Sequence, residues 1–226
     1  MRPPRWRRSS VTPAAAAYAR ATVIRGRTPW RLGNFCVVDL ELSGLDPRRD
    51  EVISFAAVPV DGGRVIAGGT RAGLIRPTQP LPERSVLVHG LRTVDLEEAP
   101  ELDVAVQALL EAMAGRVLVA HEAWVERAFL TRAFARQGVR LRGPVVDTLQ
   151  LARLWAGLAG RPEPPRDLTE LVDSLGLPSH RPHSAQGDAL TTAQLFVALV
   201  ALLETTTRET VASLANARRR ASFEPR

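Results

Sequence analysis

Residues 35 to 46 read FCVVDLELSGLD, an apolar run that carries two carboxylates, Asp39 and Glu41, one residue apart. In a β-strand successive side chains point to opposite faces, so these two would project side by side from one face. Anions so placed repel each other unless a cation lies between them, and carboxylate oxygens suit hard ions such as Mg²⁺ or Mn²⁺. Taken alone, the dipeptide pattern is better explained by a strand that ends near residue 38 and leaves both acids solvated in a loop, so the rest of the chain must decide. Further along, Glu122 and Glu126 lie four residues apart, the spacing that puts two side chains on one helix face. The stretch HSAQGD then sets His183 shortly before Asp188. Carboxylates that hold a cation, together with an imidazole that titrates near neutrality, can activate water.

The elements that must position these groups follow from the periodicity. FCVVDLEL, EVISFAAVPV and RVIAGGTRAGLI read as three strands in meander order, the last two joined at the hairpin signal DGG. PTQPLPERSVLVHGL reads as a Pro-rich loop, and PELDVAVQALLEAMAG as a helix ending at Gly. The strand RVLVA, helix EAWVERAFLTRAFARQG, strand PVVDT and helix LQLARLWAGLA follow in turn. After the breaker GRPEPPR come a short helix DLTELVDSLG, the loop LPSHRPH, and a long helix from Ser184. Upstream, Thr12 and Pro13 read as the N-cap and first position of a short helix. The pattern implies an α/β domain with a five-stranded mixed sheet flanked by helices.

At 226 residues the chain has room for one substantial core with tails. We read residues 1–33 as a basic N-terminal arm with a short helix and a linker, 34–206 as the domain, and 207–226 as a basic C-terminal tail. A single cysteine, Cys36, leaves no intrachain disulfide and no cysteine zinc cluster, so a reducing, cytoplasmic setting is expected. Apolar stretches fall short of a membrane span, and Arg7 and Arg8 are not followed by an uninterrupted apolar segment, so no membrane association or export is expected. All 30 basic residues are Arg, for a net charge of +6. Eight lie in residues 1–31 with no acidic residue among them, whereas residues 39–207 hold 17 Arg against 22 acids. Basic ends beside an acidic core suit a protein that holds cations centrally and meets a polyanion peripherally, although solvated tails would have the same composition. Trp6, among arginines, could stack on a base, and Trp124 at helical spacing reads as core packing.

The ordered set of motifs resembles the DEDDh 3′–5′ exonucleases of the RNase H-like fold, which include the proofreading subunit of bacterial DNA polymerase III, RNase T and oligoribonuclease. The first motif, D-x-E, is matched by Asp39 and Glu41; the second by HEAWVERAFL; the third, H-x4-D, by His183 and Asp188. VHGLRTVDLEEAP and VVDTLQLARL match further stretches of the pattern, and the resemblance covers about residues 34–202. It implies stepwise hydrolysis at the 3′ end of single-stranded DNA or RNA, with two divalent cations, Mg²⁺ or Mn²⁺. Asp39 would hold both ions, Glu41 and Asp188 the one bearing the attacking water, and Glu126 the other. His183 would act as general base. Leu42, Ser43, His89, His121 and Glu122 fall on the substrate side, though His89 could instead hold a turn and His121 could be a satisfied structural histidine. Asp147 is expected to be structural, and His180 has the wrong spacing to Asp188 for the base.

Three residues depart from the family pattern. Glu126 stands where the family has Asp, Glu122 where it has Asn, and Leu42 where it has Thr. Glu126 keeps the charge on a longer stem, and Mg²⁺ demands near-octahedral placement. Glu122 reads either as a surrogate ligand or as a solvated carboxylate at a helix start. Two further readings therefore stay open: a proofreading subunit, for which no residue identifies a polymerase partner, and an exonuclease fold turned binding module. Nothing in the sequence specifies the oligomeric state.

Overall fold

The apolar run that opens at Asn34 becomes the central strand of a mixed sheet. The computed structural model describes residues 11–221; Trp6, Arg7 and Arg8 lie outside the described residues. β1 (Asn34–Leu42) pairs antiparallel with β2 (Val52–Asp61) and parallel with β5 (Val117–Ala120), which pairs parallel with β6 (Val145–Asp147). Both faces of β1 are covered, so it reads as a continuous apolar run instead of an alternating one. Phe35 and Val37 point into one core layer, and Cys36, Val38 and Leu40 into the other.

The sheet has six strands, not the five expected. RVIAGGTRAGLI breaks into β3 (Arg64–Val65) and β4 (Arg71–Leu74), both paired to β2, around a 3₁₀ turn at Ala67–Gly69. Two adjacent glycines have no side chains to pack and weaken a strand interior. A second correction concerns the Pro-rich loop, which contains helix α2 (Glu83–His89). Pro82 precedes its first turn and Gly90 ends it at φ 74°, a left-handed position that glycine takes without steric cost.

One layer is built on helix α7 (Ala185–Leu203), whose Ala189, Ala193, Phe196, Leu199 and Val200 are fully buried against β1 and β2. Phe196 meets Phe35 at 5.0 Å and Trp30 at 6.0 Å between ring centroids. Contrary to expectation, α7 is long and apolar enough to cross a membrane. Here its apolar surface packs on the sheet. The other layer holds α3 (Leu102–Met113) and α4 (Trp124–Arg136), whose Leu109, Leu110, Phe129 and Phe134 face Cys36, Val38 and Leu40. α5 (Thr148–Leu158) and α6 (Leu168–Ser174) pack on the α7 side.

Segments at both basic ends complete this core. α1 (Pro13–Arg20), capped by the Thr12 hydroxyl, buries Ala15 and Tyr18; Tyr18 packs edge-on to Phe134, and its hydroxyl accepts from the Arg142 N–H at 3.0 Å. Downstream, α8 (Val211–Ala215) and α9 (Ala217–Ala221) add Val211, Leu214 and Ala217 to the α7 layer. Pro29 bridges to Thr210, and the Glu209 carbonyl accepts from the Trp30 N–H at 3.2 Å. The Glu209 carboxylate is buried. Burial would push its pKa up, but bonds from Arg220, Ser213 and Thr207 hold it below the ordinary carboxylate range.

Candidate active site

β1 and β5 run parallel, and the acids gather at their carboxyl ends, where open α/β sheets leave room for ligands. Asp39 and Glu41 extend the Phe35 and Val37 face of β1, just where α7 begins. Asp188 comes off the first turn of α7. Each of the three offers an oxygen within 4.8 Å of the others. Glu126 arrives from the opposite layer, in the first turn of α4, and is 5% exposed. Its Oε2 is buried with no hydrogen-bond partner among the described residues. A buried carboxylate oxygen without a partner costs free energy, and a hard cation would complete it.

Electrostatics tell the same story. Burial, and then the charges of Glu126, Glu41 and Asp188, push Asp39 well above the ordinary carboxylate range. Glu41 is pushed up to about 7, by burial and then by Asp188. Glu126 is pushed up to about 8, mainly by burial, with Asp147, Glu122 and Glu41 adding repulsion against a backbone hydrogen bond that favours the anion. Asp188 is also raised by burial, offset by the hydrogen bond and charge of His183. Four acids that resist ionising together form a site that takes protons or cations.

The loop before α7 is tightly specified. Arg181 and His183 hold φ of 28° and 60°, values uncommon outside glycine that tend to occur at functional sites. A Cβ on Gly187 would lie 2.2 Å from the His180 carbonyl oxygen and 2.4 Å from that of Arg181, so this turn of α7 accepts only glycine beneath the loop. Ser184 caps the helix, its hydroxyl accepting from the Gly187 N–H at 3.3 Å and donating to the Arg181 carbonyl at 2.8 Å. The backbone N–H of His183 donates to Asp188 Oδ2 at 3.0 Å, leaving the exposed imidazole free to face the cleft. His180 donates from its backbone N–H to Thr191 and pairs through Nε2 with Gln194 Oε1 at 3.0 Å, so it anchors the loop.

The remaining predicted residues divide between cleft and scaffold. His121 is occupied at both ring nitrogens: Nε2 donates to the Arg166 carbonyl at 2.6 Å, and Nδ1 accepts from the Thr148 hydroxyl at 2.9 Å. Glu122, at φ 53° in the turn into α4, forms an ion pair with Arg166. It is therefore held by a cation and not simply solvated. Asp147 caps α5, accepting from the N–H groups of Leu149 at 3.0 Å and Ala123 at 3.2 Å. Ser43 accepts from the Glu51 N–H at 2.9 Å, which pins the loop after β1.

Two hollows flank Glu41 and His89. One of about 840 Å³ is lined by Glu41, Phe55, His89, Arg181 and His183; the other, of about 710 Å³, by Leu42, Ser43, Leu45, Arg84, Val88 and His89. His89 Nδ1 accepts from the Leu91 N–H at 3.0 Å, and burial lowers the ring's pKa, so the neutral ring carries its proton on Nε2. That Nε2 is buried without a partner among the described residues. Arg84, Val88 and Arg166 were missed by sequence reasoning. The missed helix α2 carries the first two, and its sequence signal was present: proline before the first turn, glycine after the last.

With this geometry in hand, similarity to known proteins is specific. The RNase T family model, described as an exonuclease, matches residues 36–196. A DNA polymerase III subunit epsilon-like protein of Rhodobacter capsulatus is 33% identical over 180 residues, which are 78% of this chain but 25% of that protein. The chain thus spans about a quarter of that relative's length. The DNA polymerase III subunit epsilon of Aquifex aeolicus is 30% identical over 171 residues, covering 74% of this chain and 81% of that one. Among solved structures, exonuclease X in complex with 5′ overhanging duplex DNA superposes with a TM-score of 0.62 at 20% identity, over 80% of this chain and 99% of that one. Exonuclease I from E. coli, in complex with a dA16 oligonucleotide, gives 0.66 at 18% identity, over 78% and 41%. These structural likenesses show the RNase H-like fold.

Proposed function

The chain belongs to the RNase T exonuclease family, and from that premise we propose that it is a metal-dependent 3′–5′ exonuclease acting on single-stranded DNA or RNA ends. The observation that carries this reading is the convergence of Asp39, Glu41 and Asp188 within 4.8 Å, beside a buried Glu126 oxygen with no hydrogen-bond partner among the described residues. That donor set fits hard divalent ions, Mg²⁺ or Mn²⁺. Asp39, Glu41 and Asp188 would hold one, and Asp39 with Glu126 a second. When bound, such ions lower the pKa of water and neutralise charge on the leaving oxygen.

The chain's own groups supply positioning and proton transfer. The His183 imidazole stands over the same hollow as Glu41, where it takes a proton from the attacking water. The water oxygen bonds to phosphorus as the bond to the 3′ oxygen breaks, releasing a nucleoside 5′-monophosphate; the departing 3′ oxygen takes a proton from solvent to become the 3′-hydroxyl of the shortened strand, and His183 returns its proton to solvent. Arg181, on the same hollow, would supply positive charge for the phosphate, and His89, which also lines it, would help bind the terminal nucleotide. Leu42, Leu45 and Val88 offer an apolar wall for a base. The nucleic-acid ligands of exonucleases X and I are in keeping with this substrate class. Its setting would be the cytoplasm, with nucleic acid as partner.

A time course with 5′-labelled single-stranded DNA and RNA, in Mg²⁺, in Mn²⁺ and in chelator, tests the reading against an Asp39→Ala control. A metal-dependent ladder shortening from the 3′ end and absent from the control is expected. Intact oligonucleotides in every lane would overturn it in favour of a binding module.

A further inference from the structure

Trp124 was expected in the core, yet it is 55% exposed, at the start of the helix that bears Glu126. Helix periodicity explains the outcome: Glu126, Phe129, Leu130 and Ala133 take the inward face of α4, leaving Trp124, Arg127 and Thr131 on an outer one. That outer face, the edge strand β6 and the α8–α9 segment enclose two adjoining hollows of about 490 and 700 Å³. They share Arg127, Thr131, Val145 and Ala215, so they form one continuous groove. It begins at Ala123, Trp124 and Asp147 and ends at Arg140.

The groove is basic. Arg127, Arg140 and Arg218 line it, and Asp147 is its one acid, with both carboxylate oxygens engaged by backbone N–H groups. Arg127 and Arg140 are exposed, and neither enters an ion pair among the described residues. Arg31, Arg76, Arg92, Arg136 and Arg153 are each matched by a carboxylate, whereas Arg64 and Arg208, like the groove pair, enter no ion pair among the described residues, so what distinguishes Arg127 and Arg140 is that they share one groove. The groove follows the 13 residues of α4, a rise of about 20 Å. Its near end lies at the first turn of α4, where Trp124 faces the groove and Glu126, two residues on, faces inward.

We propose that this groove between α4 and the α8–α9 segment binds the phosphate backbone of the substrate upstream of its 3′ end, with Trp124 stacking on a base at the near end. The inference rests on the exonuclease reading and adds to it a second contact region, one that a substrate of only a few nucleotides does not reach. Arg127 and Arg140 supply charge that displaces counterions from the strand, and an exposed indole is the aromatic platform that single strands use.

The test measures binding of 5′-fluorescein oligothymidylate of about 20 nucleotides in chelator across a salt series, and hydrolysis of a trinucleotide with Mn²⁺. Wild type is compared with Arg127→Ser/Arg140→Ser, with Trp124→Ala, and with Arg64→Ser/Arg208→Ser, which removes equal charge outside the groove. For the groove pair we expect roughly tenfold weaker binding of the long strand and a salt slope lower by about 1.4, at about 0.7 for each lost phosphate contact. Trp124→Ala weakens the long strand without changing the slope. Trinucleotide hydrolysis and melting temperature stay at wild-type values. An unchanged slope in the groove pair, or an equal loss in the control pair, overturns the groove while leaving the exonuclease reading intact. Reduced trinucleotide hydrolysis in the groove pair also overturns it, because the arginines would then act at the reaction centre. A wild-type protein that neither cleaves the trinucleotide nor binds the long strand overturns both.

Discussion

His183 is tied to Asp188 through its backbone and not through its ring: the His183 N–H donates to Asp188 Oδ2 at 3.0 Å. The same carboxylate offers an oxygen to the cluster with Asp39 and Glu41, so the proposed ligand and the proposed base are held in one relationship while the imidazole stays free. His183→Ala therefore keeps the tie. It should lower kcat by about 10²–10⁴-fold and leave Mn²⁺ affinity within about twofold of wild type, a bound we set by the retained backbone hydrogen bond. Asp188→Ala should lose both. Titration calorimetry beside single-turnover rates separates them, and loss of Mn²⁺ binding in His183→Ala would contradict the arrangement.

Raised carboxyl pKa values make the metal-free protein less stable as pH rises. Glu41 at about 7 and Glu126 at about 8 bind more protons folded than unfolded across the window above the ordinary carboxylate range. Their contribution is complete below that range and is lost as pH climbs through 7 and 8. Thermal melts in chelator should show Tm falling between mildly acidic and mildly alkaline pH, and Mn²⁺ should restore it at the alkaline end. A Tm that rises over this window would refute the electrostatic account.

Glu126 stands outside the group of three acids whose oxygens lie within 4.8 Å of one another. Glu126→Gln should keep one Mn²⁺ site, lose a weaker second one, and raise the alkaline Tm of the metal-free protein by removing a buried charge. Paramagnetic titration counts the ions. Retention of two sites, or loss of both, would show that the division of ligands is wrong.

Gly187 has no room for a side chain beneath the His183 loop, since an added Cβ would meet two carbonyl oxygens within 2.4 Å. Gly187→Ala should cost ~1–3 kcal/mol and reduce turnover by displacing His183. Urea unfolding and steady-state rates test this together. Wild-type stability would mean that the loop yields freely.

Arg220 neutralises a Glu209 carboxylate with no exposed side-chain surface. Arg220→Ala should destabilise the protein by roughly 3 kcal/mol or more, because it leaves a buried charge without its cation. Arg219→Ala, at an exposed neighbour, should change stability by less than about 0.5 kcal/mol. Equal effects in the two variants would contradict a role for the C-terminal segment in the core.

Much of the site was legible because its spacings are local. Strand period two puts Asp39 and Glu41 on one face, and the helix start before Asp188 is written in Ser184, its N-cap. The misreadings arose where local preference was weak or competed with packing. Proline masked helix α2, and two glycines split an expected strand in two. Trp124 turned outward because the inward face of α4 was filled by Glu126, Phe129 and Leu130.

What the sequence determined by itself is the order and spacing of the acidic motifs, the alternation of strands and helices, and the departure at Glu126. Only the tertiary structure decided that Asp188 reaches Asp39 and Glu41, that Arg166 pairs with Glu122, and that α1, α8 and α9 pack into the core. The reason is physical. Spacing within one element follows from backbone geometry, whereas the distance between carboxylates on β1, α4 and α7 exists only once burial of the two apolar layers has fixed those elements against one sheet.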